Sequence, residues 1–323
     1  MISVPVLVAL IAVATSVVLV IIGVIALLRR GRTDVVSPLN MDDGLVGQLV
    51  ITHARRRAVV AVGFSVALFF AVACVGFAAP QLLGIPLGLA PGLAVSGGLL
   101  LFAATPSASV PPYERTSASL RPRDPWSFGP RWAFVLPLTI AATLIAFLVW
   151  TGINSSPDEN GLHRTISVVD ATSKSTSSPY PGWFYGVPLI AVTVVLAAST
   201  VLALGRVSKT PSIPKVDLAA VDRRWREAST RVITNLSTAA LLGYFGGTAF
   251  TAGQATVNVA VTGGPGGYLF RQPEFAVGIV FLVAGALLAV AGLVFLIFSA
   301  RDAMTLRTSF RRAVQGEIQP GSV

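Results

Sequence analysis

A chain of 323 residues with a net charge of +10 and a pI near 10.8 invites a nucleic-acid reading, yet only 12% of its residues are charged, 54% are hydrophobic and the mean hydropathy is +0.75. That balance excludes a basic soluble domain and points to a chain whose main solvent is the bilayer. Cys74 is the single cysteine and sits in an apolar run, which excludes a disulfide framework and any multi-cysteine metal site.

A helix needs about 20 apolar residues to cross a hydrocarbon core of roughly 30 Å. Seven stretches qualify in chain order: 3–28, 58–79, 85–104, 132–151, 185–204, 232–252 and 275–299. The first has no basic residue before its apolar core and no small-residue cleavage site after it, so it reads as a retained span that starts outside rather than a signal peptide. The third is interrupted by Pro86 and Pro91, and a re-entrant segment competes with a full span there.

Seven spans with the N-terminus outside leave 29–57, 105–131, 205–231 and 300–323 on the inner side. Of the 24 Lys and Arg residues, all but Arg164, Lys174 and Arg271 fall in those inner segments. The outer acids are Asp158, Glu159, Asp170 and Glu274. This asymmetry is what the positive-inside rule expects, and moving one span would scramble it. The expected fold is an all-α membrane protein of the cytoplasmic membrane: a seven-helix transmembrane bundle, N-terminus outside and C-terminus inside, with a small extracytoplasmic β cap. The arginines of "VDRRWREASTR" (221–231) then belong at the inner surface, where each attracts anionic headgroups by about 1 kcal/mol. Nucleic acid is not an expected partner.

Two inner segments, about 42–57 and 217–231, read as amphipathic helices running into the next span. In the second, Leu218, Val221, Trp225, Ala228 and Val232 recur at spacings of three and four and mark one face. Asp217 suits an N-cap, and Asp222–Arg226 and Arg223–Glu227 are i,i+4 pairs. Leu218, Val221 and Trp225 form either an interfacial face with no partner or a docking face for a protein partner or a second copy. At an offset of 174 residues Arg32, Asp43 and Arg57 fall on Arg206, Asp217 and Arg231, the pattern of a parallel repeat, although so biased a composition produces such matches by chance.

No Asp, Glu, Lys, Arg or His lies within the seven predicted spans, which argues against proton relays, voltage sensing and retinal binding. Small residues recur instead: Gly88, Gly92 and Ser96; Ala239, Gly243, Gly247 and Thr251; Gly278, Gly285 and Gly292. Such rows let helices approach closely, or line a passage. The sixth span is the most polar, and Asn235, Thr238 and Tyr244 mark the expected solute route if one exists.

The outer loops, about 152–184 and 253–274, change period. "RTISVVDA" (164–171) and "ATVNVAVTGGPGGYLFRQ" (255–272) carry β-branched residues in partial alternation, "GGPGG" reads as the turn joining two short strands, and the Ser/Thr-rich 171–179 reads as a loop. Asp158, Glu159, His163 and Asp170 are too few and too scattered for a metal site of the usual kind. Neither face gathers a catalytic constellation; Arg121, Arg123 and Asp124 are the inner cluster to check. No catalytic, cofactor or metal residue is assigned. The leading expectation is a non-enzymatic interaction or regulatory subunit; the alternative is a permease or exporter for a small neutral or lipophilic solute.

In composition and topology the whole chain resembles the multi-pass integral membrane proteins of unassigned role found in GC-rich Gram-positive bacteria. Arginine outnumbers lysine, and alanine, valine and glycine are abundant. The likeness rests on no motif and implies no functional residue.

Overall fold

A computed structural model describes residues 43–105, 125–169, 174–210, 219–264 and 267–317. Six α-helices account for most of them: α1 Asp43–Ala78, α2 Ile85–Ala104, α3 Arg131–Ile153, α4 Trp183–Lys209, α5 Ala219–Ala260 and α6 Glu274–Glu317. Among the described residues five helices are long and apolar enough to cross a membrane: Thr52–Ala78 of α1, all of α2, α3 and α4, and Glu274–Met304 of α6. This is a mostly helical, multi-pass membrane protein. The first predicted span, 3–28, lies outside the described residues, as do Arg121, Arg123 and Asp124 and, from the offset pairs, Arg32 and Asp217.

The predicted span 232–252 lies within α5, whose 42 residues are more than long enough but not apolar enough to join those five. Its place in the bundle explains why. It touches each of the other five helices, so most of its side chains over 232–249 meet protein and not lipid. Hydroxyls that would be costly in hydrocarbon are satisfied along the helix: Thr234, Ser237, Thr238 and Thr248 each donate to the carbonyl four residues earlier.

Glycine sets the closest contact. A Cβ on Gly285 would lie 2.5 Å from the Phe250 amide nitrogen, and one on Gly246 the same distance from that of Ala289. Gly253 and Gly278 oppose each other in the same way two turns on, and Gly292 abuts Ala239 and Gly243. The predicted seven-residue row on the last helix is thus the seam along which α5 and α6 pack backbone to backbone.

The α1–α2 connection is a 3-10 turn, Pro80–Leu82, closed by Leu83 and Gly84 in left-handed conformation (φ 52° and 80°). Pro86 sits in the first turn of α2, where its missing N–H is no loss, and the helix continues through Pro91 for 20 residues, or about 30 Å. The helices extend past the predicted spans at their basic ends and take in charges there. Arg57 of α1 is buried and donates to the carbonyl of Phe102 (2.8 Å) and the hydroxyl of Thr105 (3.1 Å), at the end of α2. Arg226 of α5 does the same for α4, donating to the carbonyls of Val207 (2.6 Å) and Thr210 (2.9 Å). On α3 the indoles at its two ends, Trp132 (63% exposed) and Trp150 (46%), face outward.

Among the described residues all strands lie at the opposite end. β1 (Ser156–Pro157), β2 (His163–Val169) and β3 (Lys174–Ser177) form an antiparallel sheet between α3 and α4, with Ile166 opposite Ser177 and Val169 opposite Lys174. β4 (Val261–Gly264) and β5 (Gly267–Phe270) pair antiparallel between α5 and α6, with Gly264 opposite Gly267. Two expectations change. Residues 255–260 are the last turns of α5, because Val257 is pinned against Gly278 and that packing overrides β propensity. Lys174–Ser177, expected as loop, pairs with β2 as an edge strand.

Candidate functional site

Between α2, α4 and α5, at the strand-bearing end, lies a cavity of about 280 Å³. The start of α2 contributes Leu87, Gly88 and Pro91, the segment before α4 contributes Pro179, Tyr180 and Pro181, and α5 contributes Gly243, Tyr244, Gly247, Thr248 and Thr251. Leu83, Gly84, Tyr185 and Leu189 complete the lining, which contains no charged side chain. Glycine makes the space: a Cβ on Gly84, Gly88 or Gly247 would meet nothing within 4 Å. Gly84, Leu87, Gly88 and Gly247 are exposed, so the cavity opens sideways between α2 and α5.

Tyrosines and threonines supply the polarity. The Tyr244 hydroxyl donates to the Leu89 carbonyl (2.8 Å) on α2. Gly92 permits that contact, since a Cβ there would overlap the Tyr244 ring. Tyr185 donates to the Leu83 carbonyl (2.7 Å) and so ties α4 to the α1–α2 turn. Thr248 and Thr251 donate to the carbonyls of Tyr244 and Gly247. Tyr180 is 2% exposed and packs with Ala252, Ala255, Phe147, Ile166 and Phe281. Its hydroxyl makes no hydrogen bond among the described residues, and burial pushes it up to about 12.

Beside the cavity, Asp158 organises the turn before β2. One carboxylate oxygen accepts the amides of Asn160 (2.8 Å) and Leu162 (2.9 Å), and the other accepts Arg164 Nε. The hydrogen bond from Arg164 holds the Asp158 carboxyl below its usual range, and the same bond raises Arg164. Arg164 also interacts electrostatically with Tyr185, which couples the sheet to the cavity wall. Asp158 is therefore committed to the turn, and His163 is turned to Ser155. Among the described residues no three His, Cys, Asp or Glu side chains gather where a metal could be held.

The structure separates the residues of the expected solute route. Tyr244 lines the cavity, but Thr238 is buried on its own helix with its hydroxyl on the Thr234 carbonyl, and Asn235 donates to Asp302 of α6 (3.2 Å) near the basic end. Of the expected partner face, Leu218 lies outside the described residues, as does the side chain of Val221. Trp225 is 4% exposed, in the core, with its indole N–H on Asp222 (3.0 Å). At that position the face is covered by the chain's own helices, because Arg226 and Asp222 draw the start of α5 onto the end of α4. Sequence reasoning missed Tyr180 and Tyr185. Their available signal was "PYPGWFY", a tyrosine between two prolines at the mouth of a span.

Comparison with known proteins returns no match: no family, no curated protein and no solved structure is similar enough to this chain to carry an argument.

Proposed function

We propose that this is a seven-span protein of the cytoplasmic membrane, with its N-terminus outside, its basic end at anionic headgroups inside and its strands capping the outer side, and that it is a permease or exporter for a small neutral, lipophilic solute. The cavity supports this reading: it is uncharged, lined by leucine, proline, glycine, tyrosine and threonine, and bordered by exposed residues of two helices that belong to the bundle. The interaction-subunit reading, which the amphipathic inner helices, the outer cap and the uncharged spans suggested, expects a free face around Leu218, Val221 and Trp225, and of these the Trp225 side chain is buried.

The test begins with the tagged protein purified from its host in mild detergent, then reconstituted in vesicles loaded with labelled neutral solutes of about ten carbons. A lone monomer or homodimer with release faster than from protein-free vesicles supports transport. A stoichiometric second protein and no release would make the chain a subunit. In a Cys74→Ser background, Asn160→Cys should react only with an impermeant thiol reagent added outside and Arg223→Cys only with one admitted inside.

A further inference from the structure

We infer that the cavity binds an uncharged aliphatic molecule of about a dozen non-hydrogen atoms with one oxygen, such as a medium-chain or terpenoid alcohol, and that the Tyr180 hydroxyl donates to that oxygen. This rests on the lipophilic-solute reading and narrows it to a ligand class. Size comes from volume: an apolar protein cavity of about 150 Å³ holds benzene, and this one is about 280 Å³. Neutrality comes from the lining, where no charged group would offset the desolvation of an ion.

The single oxygen follows from where the hydroxyl protons go. Tyr244, Tyr185, Thr248 and Thr251 each spend theirs on a carbonyl of the protein. Tyr180 lines the same cavity, is almost fully buried, and spends its proton on nothing among the described residues. A donor left unspent beside the cavity favours a ligand with one acceptor over one with none. The tail of a bilayer lipid would fill the space but leave that donor unmet.

The experiment uses the full chain in lipid nanodiscs and a tritiated ten-carbon alcohol bearing an aliphatic diazirine. Photolabelling is expected in 83–91, 179–189 and 243–251, competed by 1-decanol more strongly than by decane and not by decyltrimethylammonium. Tyr180→Phe should weaken competition by 1-decanol about three- to tenfold and leave decane unchanged, as loss of one neutral hydrogen bond implies. Gly247→Leu should abolish labelling, and Gly88→Leu provides a second filling variant should the first fail to fold. Equal competition by decanol and decane, an unchanged Tyr180→Phe, or labelling confined to other segments would overturn the inference. Binding without vesicle release would overturn transport and leave the ligand assignment standing; release unaffected by Gly247→Leu would do the reverse.

Discussion

Arg226 donates to the carbonyl of Val207 at 2.6 Å, joining the first turns of α5 to the last turn of α4. The last carbonyls of a helix have no partner within it and carry the negative end of its dipole, so a cation placed there satisfies both. Arg226 is only 1% exposed, and its charge is balanced by Asp222, at 3.0 Å from Nε. Breaking such a buried pair costs about 3–5 kcal/mol. Arg226→Ala should therefore lower the thermal midpoint in detergent by many degrees. Arg226→Lys should recover little of it, since one ammonium cannot reach Val207, Thr210 and Asp222 with the geometry of a planar fork. A variant as stable as the parent would show that the contact contributes nothing net.

The seam between α5 and α6 predicts a contrast between glycines. Gly285→Ala would place a methyl against the Phe250 backbone, which cannot swing aside, and should cost about 1–3 kcal/mol or separate the two helices. Gly63→Ala, with nothing within 4 Å, should be neutral or slightly stabilising. Thermal unfolding of the two variants side by side decides it. Equal effects would mean that the close approach is not what makes Gly285 necessary.

Tyr244 and Gly92 form a second pair open to test. Tyr244→Phe removes a buried hydrogen bond to Leu89 and should cost about 1 kcal/mol. Gly92→Ala should cost more, because it displaces the whole ring. If the ring is already displaced, removing its hydroxyl has little left to lose, so a double-mutant cycle should be clearly non-additive. Additive losses would place the two side chains in separate environments.

Protonation gives a fourth expectation. Asp158 is held below its usual range in the folded state chiefly by Arg164, so the folded protein binds this proton less readily than the unfolded chain does. The resulting stability is fully present above the unfolded carboxylate value of about 4 and is lost as pH falls through the lower folded value. A thermal-midpoint profile below about pH 4 should flatten in Asp158→Asn. An unchanged acid limb would remove the turn from any part in stability.

The sequence made the helices easy to read and their roles less so. The 20-residue run 85–104 is α2, residue for residue, because caps and turn chemistry mark both ends locally. The extent of α5 was harder to see, since Val257 and Val259 carry a strand's preference and the packing of Val257 against the distant Gly278 is not written in the local sequence. Trp225 stands on a regular amphipathic face, but whether that face meets lipid, a partner or α4 depends on Arg226 reaching back to Val207, which periodicity cannot encode. The rows Ala239, Gly243, Gly247, Thr251 and Gly278, Gly285, Gly292 were visible as rows, but Gly246 and Gly253, which complete the seam, belong to neither. Gly246 and Gly253 face a helix while Gly243 and Gly247 face a cavity, and that distinction is a property of neighbours.

Trp132 and Trp150, exposed at the two ends of α3, are 18 residues apart, which at 1.5 Å per residue is about 27 Å. Indoles settle at the boundary between headgroups and tails, so the pair acts as a ruler for the membrane that suits this protein. It matches the thinner end of the bilayer range, and in a thicker membrane α3 must stand more upright or draw the lipid inward around it. Acyl-chain length thus becomes a physical variable acting on this protein, felt first by α3.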